Sequence, residues 1–206
     1  ASSDRLVQVD ESLEDEAILL ALAATAYHAI DCFGPDRFPD LVVGHGTLGR
    51  LIARLVIALG GDAPTVWEKN PSRQSGSVGY EVIDSGNDPR SDYDAICDVS
   101  GDGSLLNDFI QRMRPGGSIV LAGFYDQPLS FNFAPAFIRE SCIKIAAQWQ
   151  TSDLDAVQAL IKDSKLSLSG LISHRSSASA AAPAYRQAFG DADCLKMVID
   201  WRANNE

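Results

Sequence analysis

Apolar residues fall along this chain in two alternating patterns: short continuous runs bounded by Gly, Pro or Asp, and longer stretches with apolar positions three and four apart. The runs Asp40–Gly44, Thr65–Glu68, Gly79–Ile83, Tyr93–Val99, Ser118–Ala122 and Cys142–Ala147 predict six strands buried on both faces. The longer period predicts helices over Ala17–Phe33, Thr47–Leu59 and Ser104–Met113, then over Ser152–Asp163, Ala178–Phe189 and Asp193–Ala203. Acids at Glu14, Asp15 and Glu16 suit the positive end of the first helix, and Gly60-Gly61 stops the second. Alternation of this kind predicts an α/β protein, a doubly wound parallel six-stranded Rossmann sheet with helices on both faces. The second and third strands are joined by polar residues, Asn70–Ser77, with room for one helical turn at most.

With 206 residues, 46% of them hydrophobic, one main domain can bury a sizeable core. The reading divides it into a leading segment and helix over 1–33, a core over 34–150 and closing helices over 151–206. A net charge of −11 argues against nucleic acid or an anionic membrane as partner, since both need a positive patch. Cys32, Cys97, Cys142 and Cys194 form no CxxC pair and read as reduced thiols of a cytoplasmic protein, not as a zinc site. The longest apolar stretch, Ala17–Ala26, is too short for a transmembrane segment. An opening Ala-Ser-Ser in place of Met reads as a cut or processed start.

The chemistry centres on Val43-Gly44-His45-Gly46-Thr47-Leu48-Gly49, a G-x-G-x-x-G set between a buried strand and a helix. Gly44 permits the tight turn, Gly46 lets backbone approach a diphosphate, and Gly49 lets the helix lie close to the strand. Free amides at the helix N-terminus would hold the anion. Glu68 ends the second strand 19 residues after Gly49, where an acid accepts hydrogen bonds from the adenosine ribose. That carboxylate repels a 2′-phosphate and favours NAD over NADP, with Lys69 and Arg73 nearby as the contrary signal. Asp98-Val99-Ser100-Gly101 and Gly123-Phe124-Tyr125 follow the fourth and fifth strands, at the edge where open α/β sheets bind ligands. Each feature has a plainer alternative: a ligand-free glycine turn, a solvated Glu68, ordinary turn glycines at 101 and 123. His45 reads as packing within the loop.

The order of Leu22-Ala-Ala-Thr-Ala-Tyr27, the glycine set, Asp98–Gly101, Arg114-Pro-Gly-Gly117 and Leu195-Lys-Met-Val198 resembles the cofactor domain of the medium-chain dehydrogenase/reductase superfamily. Within it, Val43–Arg50, Leu121–Tyr125 with Pro128–Phe131, and Asp193–Trp201 resemble members that oxidise the 3-(1-hydroxyethyl) side chain of a bacteriochlorophyllide-type tetrapyrrole to acetyl with NAD. The resemblance implies Thr25 near the nicotinamide and Gly44, Gly46, Thr47 and Leu48 at the diphosphate. It also implies Glu68 at the ribose, Lys196 near the phosphates from a C-terminal helix, and pairing of two copies through the sixth strand. Thr25 as a self-bonded helix threonine and Lys196 as a solvated charge are the alternatives.

Where zinc-dependent members carry a metal-ligand cysteine four residues before the threonine, this chain has Ala21, so no metal is expected here. The superfamily's N-terminal, GroES-like domain has no counterpart among these residues, and the chain is expected to bind cofactor better than it turns over substrate. The proton acceptor is not fixed; Tyr27, His28 and Tyr125 are the candidates. Two other readings stay open, a quinone or enoyl reductase using NADPH and a nucleotide-sensing module without catalysis.

Overall fold

A computed structural model describes residues 7–202. Its centre is a six-stranded, all-parallel sheet made of β1 (Leu41–Val43), β2 (Thr65–Trp67), β3 (Glu81–Ile83), β4 (Tyr93–Asp98), β5 (Met113–Leu121) and β6 (Cys142–Ile145). The strand order is β3-β2-β1-β4-β5-β6, so chain direction across the sheet reverses between β1 and β4. Loops leaving these two strands diverge there and open a crevice at the C-terminal edge.

Alternate side chains of the inner strands serve opposite cores, which is why those strands read as continuous apolar runs. Val42, Val66, Ala95, Cys97 and Val120 pack under α1 (Leu20–Asp31), α2 (Thr47–Ala58) and α5 (Thr151–Lys162). Leu41, Val43, Trp67, Ile96, Ile119 and Leu121 pack on the other face with Phe109 and Ile110 of α3 (Leu106–Arg112) and Ala136 of α4 (Phe133–Ile138). The doubly wound fold is therefore present as the sequence pattern implies.

Element type or extent differs chiefly in three places. The helix expected from Ala17 begins at Leu20, after a 3-10 stretch over Glu11–Leu19 that bends at Glu14, whose φ is 43°. β5 starts at Met113 and pairs with Tyr93 before the ladder resumes at Ala95↔Ser118; the Pro115–Gly117 turn is thus a bulge within the strand. The β2–β3 connection holds one 3-10 turn, Pro71–Arg73, as its length and polarity imply.

The third difference is the largest. Where a final helix was expected over Asp193–Ala203, the chain forms β8 (Met197–Asp200), paired in parallel with β7 (His174–Ser177), and Ala203 lies outside the described residues. α6 (Ala181–Gly190) connects these strands. Val198 and Ile199 are β-branched, and the Lys196 carbonyl accepts from the Ser173 and His174 amides at 3.1 Å each, so pairing with a distant strand outweighs local helical period. Lys196 consequently sits in the loop entering β8 and not on a helix.

Candidate dinucleotide-binding site

The crevice at the switch point has a volume of about 230 Å³ and is lined by Gly44 and Gly46 of the glycine loop, Glu68, Lys69 and Arg73 after β2, and Val99, Ser100 and Asp102 after β4. The sequence brings these together by one turn. Gly44 has φ 100°, a conformation that excludes most side chains, and a Cβ there would press the Ser100 backbone at 3.2 Å. At Gly49 a Cβ would fall 1.8 Å from the Gly44 carbonyl oxygen, so only glycine lets α2 start this close to β1. Gly46 differs from both: its φ is −75°, and an added Cβ meets nothing within 4 Å. It is the N-cap of α2 and contributes no side-chain cap, so the first-turn amides of Thr47, Leu48 and Gly49 have no side-chain partner there.

Glu68 is buried, and both carboxylate oxygens are held by main chain: Oε2 accepts from the His45 amide at 3.0 Å and Oε1 from the Asn70 amide at 2.8 Å. A carboxylate has about four acceptor positions, so two remain beside the crevice. Lys69 pairs with Asp102 at 3.3 Å. The Arg73 Nε donates to the Ala192 carbonyl, and the Thr47 hydroxyl donates to the Leu195 carbonyl at 2.8 Å. The segment before β8, with Lys196 half-buried in it, thus flanks the glycine loop opposite β4.

His45 is fully buried within the loop. Its Nδ1–H donates to the Arg73 carbonyl at 2.6 Å, which leaves Nε2 to accept from the Tyr80 hydroxyl at 2.8 Å. Burial pushes its pKa down to about 4, so the imidazole is neutral. Leu48 packs against the core under α1 and α2.

Past β4, the buried Asp98 carboxyl accepts from the Ser100 amide at 2.9 Å and from the Tyr125 hydroxyl at 2.7 Å. Burial raises the pKa of Asp98, and burial together with the adjacent Asp98 charge raises that of the Tyr125 phenol. Gly101 and Gly123 serve each other: a Cβ on Gly123 would lie 2.9 Å from the Gly101 nitrogen, and one on Gly101 would lie 2.7 Å from the Phe124 oxygen. Between those two fixed points the Phe124 side chain is 100% exposed.

Thr25 and the other two proton-acceptor candidates lie on α1. The Thr25 hydroxyl donates to the Ala21 carbonyl at 3.0 Å. His28 Nδ1 faces the Asp153 carboxylate of α5 at 3.1 Å, and Tyr27 packs against the core. Among the described residues no group of three or more His, Cys, Asp and Glu side chains is arranged to hold a metal. No helix there is long and apolar enough to cross a membrane.

Sequence reasoning missed Arg50, Tyr80 and the carbonyls of Ala192 and Leu195. Arg50 had a detectable signal: with Arg54 it places two arginines four apart on an otherwise apolar helix, and both are buried. Tyr80 and the C-terminal carbonyls had none, because they meet the loop only through the fold.

No protein-family model matches the chain. Among curated proteins it is 53% identical over 201 residues to "2-desacetyl-2-hydroxyethyl bacteriochlorophyllide A dehydrogenase" of Rhodobacter capsulatus, covering 98% of this chain and 64% of that protein. It is 54% identical over 199 residues to the protein of the same name from Cereibacter sphaeroides, covering 97% and 62%. In both cases the chain spans less than two thirds of the relative's length. Among solved structures, 2R,3R-butanediol dehydrogenase from Bacillus subtilis matches with a TM-score of 0.83 at 18% identity, covering 95% of this chain and 60% of that one. An alcohol dehydrogenase from Escherichia coli CFT073 complexed with NADH matches with a TM-score of 0.81 at 17% identity, covering 98% and 64%. By sequence the chain is thus a relative of bacteriochlorophyllide dehydrogenases, matching just over three fifths of their length, and by fold it is a Rossmann-type α/β domain of the kind seen in alcohol dehydrogenases.

Proposed function

We propose that this chain is the NAD-binding part of a dehydrogenase that oxidises the 3-(1-hydroxyethyl) group of a bacteriochlorophyllide-type tetrapyrrole to acetyl. The observation that carries the cofactor reading is the space over Gly46. The first turn of α2 has no side-chain cap, the N-cap residue has open space where a Cβ would be, and a fixed carboxylate stands one strand away. A diphosphate fits the first two features and a ribose diol the third. The substrate reading is supported by the activity for which relatives above 50% identical over nearly all of this chain are named.

When bound, the nicotinamide supplies the hydride acceptor. The chain's own residues bind and orient. Glu68 offers two acceptor positions to the ribose hydroxyls, and its charge disfavours a 2′-phosphate. Arg73 is directed to Ala192 and Lys69 to Asp102, which weakens the case for either as a 2′-phosphate ligand and supports NAD over NADP. The raised phenol pKa and the hydrogen bond to Asp98 make Tyr125 a poor proton acceptor, whereas the Asp153 carboxylate beside His28 Nδ1 favours the tautomer with its basic lone pair on Nε2. Phe133, Phe137 and Ile138 of α4 and Ile145 of β6, all exposed and lining one apolar groove beside this edge strand, support a homodimer through β6.

The test is an assay of the full-length gene product with NAD and a 3-(1-hydroxyethyl) chlorin. Acetyl formation extends the conjugated system, and the long-wavelength absorbance band should move to the red. Saturable NAD binding without any spectral change would remove the substrate assignment and leave the cofactor site standing.

A further inference from the structure

We propose that His45 is a positioning residue that sets the preference for an unphosphorylated adenosine ribose by fixing the Glu68 carboxylate; the proposal rests on the cofactor reading above. His45 is bonded at every polar atom. Its amide donates to Glu68 Oε2 at 3.0 Å, its carbonyl accepts from Arg50 Nε at 3.1 Å, and its ring bridges the Arg73 carbonyl and the Tyr80 hydroxyl. The Tyr80 ring also meets the imidazole edge-on, with centroids 5.5 Å apart.

These bonds matter because the β2–β3 connection has only the single 3-10 turn Pro71–Arg73 to place it. Its carbonyls turn inward instead: Arg50 donates to those of Arg73 at 3.1 Å, Ser75 at 2.8 Å and Gly76 at 3.0 Å. The loop closes so tightly that a Cβ on Gly76 would fall 2.4 Å from the Arg50 guanidinium. Asn70, whose amide is the second donor to Glu68, begins this same connection. His45 therefore governs both donors on the carboxylate, one through its own main chain and the other through the loop its ring pins. Removing the ring leaves the His45 amide in place, but it takes away one of the two donors on the Arg73 carbonyl, Arg50 keeping the other, and the acceptor of the Tyr80 hydroxyl, which loosens the segment that carries the second donor. A carboxylate free to swing loses the diol geometry first, while its repulsion of a 2′-phosphate relaxes.

The experiment titrates the full chain, as wild type, His45→Ala, His45→Asn and Tyr80→Phe, with NADH and separately with NADPH. Melting temperatures confirm folding. His45→Ala should weaken NADH binding about tenfold while NADPH changes by less than about twofold, so the ratio of affinities collapses. Tyr80→Phe, the gentler variant, should move the ratio the same way by less, and His45→Asn, which keeps a donor for the Arg73 carbonyl, should recover part of it. Equal weakening of both cofactors, or an unchanged ratio in both His45→Ala and Tyr80→Phe, would reduce His45 to packing and overturn the proposal. A wild-type chain that is folded yet binds neither cofactor would bring down the cofactor reading itself.

Discussion

Alanine at Gly46 and alanine at Gly49 should fail in opposite ways, although the two glycines belong to one motif. At Gly46 the backbone, φ −75° and ψ −171°, suits any residue, and the new methyl touches no protein atom within 4 Å. Alanine is a somewhat poorer N-cap than glycine, and it also narrows the unfolded ensemble. Each effect is worth roughly 0.5 kcal/mol with opposite sign, so stability should hold to within about 0.5 kcal/mol. The methyl does occupy the approach to the first-turn amides. Displacing a phosphate oxygen there by an ångström or so removes a charge-assisted hydrogen bond of about 1.5–3 kcal/mol, a loss of about tenfold to a hundredfold in affinity.

At Gly49 the Cβ would sit 1.8 Å from the Gly44 oxygen, against 3.4–4 Å for ordinary contact, so α2 and the loop must separate by well over an ångström. That should cost about 1–3 kcal/mol or more in stability and degrade binding as a consequence. Thermal melting of the two variants, alongside calorimetric titration with NADH, separates the cases. Gly46→Ala with wild-type affinity would mean that no phosphate comes near this turn, and the crevice would need another ligand.

Burial that lowers the His45 pKa from 6.5 to about 4 favours the neutral ring in the folded state. Its contribution is fully present above pH 6.5 and is lost as pH falls toward 4, reaching about 3 kcal/mol. Urea unfolding at pH 7.5 and 4.5 should show that extra loss in wild type and not in His45→Asn. Tyr125→Phe should cost about 1.5–3 kcal/mol by removing the donor from buried Asp98. Because the Asp98 pKa is already raised in the fold and would climb further, that deficit should widen as pH rises from about 4; a pH-independent deficit would contradict an ionised Asp98. If two copies pair through β6, Ile145→Asp, on a side chain 77% exposed at the open edge, should convert a dimer to a monomer in light scattering, with melting temperature little changed.

The inner strands of the main sheet were legible because they are buried on both faces, so burial alone writes an apolar run such as Leu41–Val43 into the sequence. The turn after β1 was legible for a similar reason: its spacing of glycines reflects three separate steric demands, and two of them, at Gly44 and Gly49, are visible as contacts with the protein itself. β8 was not legible. Its four residues are stable as a strand only because His174–Ser177 lies alongside, and no local pattern carries information about a partner 23 residues away. The Thr47–Leu195 and Arg73–Ala192 hydrogen bonds, spanning 148 and 119 residues, were hidden for the same reason.

Those hidden contacts change how the motif is read. Thr47, His45, Arg73, Asp98 and Tyr125 all belong to the stretches that point to a cofactor, yet their side chains are already paired within the protein. What the fold leaves unsatisfied is a smaller set: the amides at the start of α2, the space over Gly46, and the remaining acceptor positions on Glu68. A spacing motif records everything the turn needs, whether for itself or for a ligand. Free hydrogen-bonding capacity at the crevice separates the two, and it assigns the paired side chains chiefly to holding that small set in place.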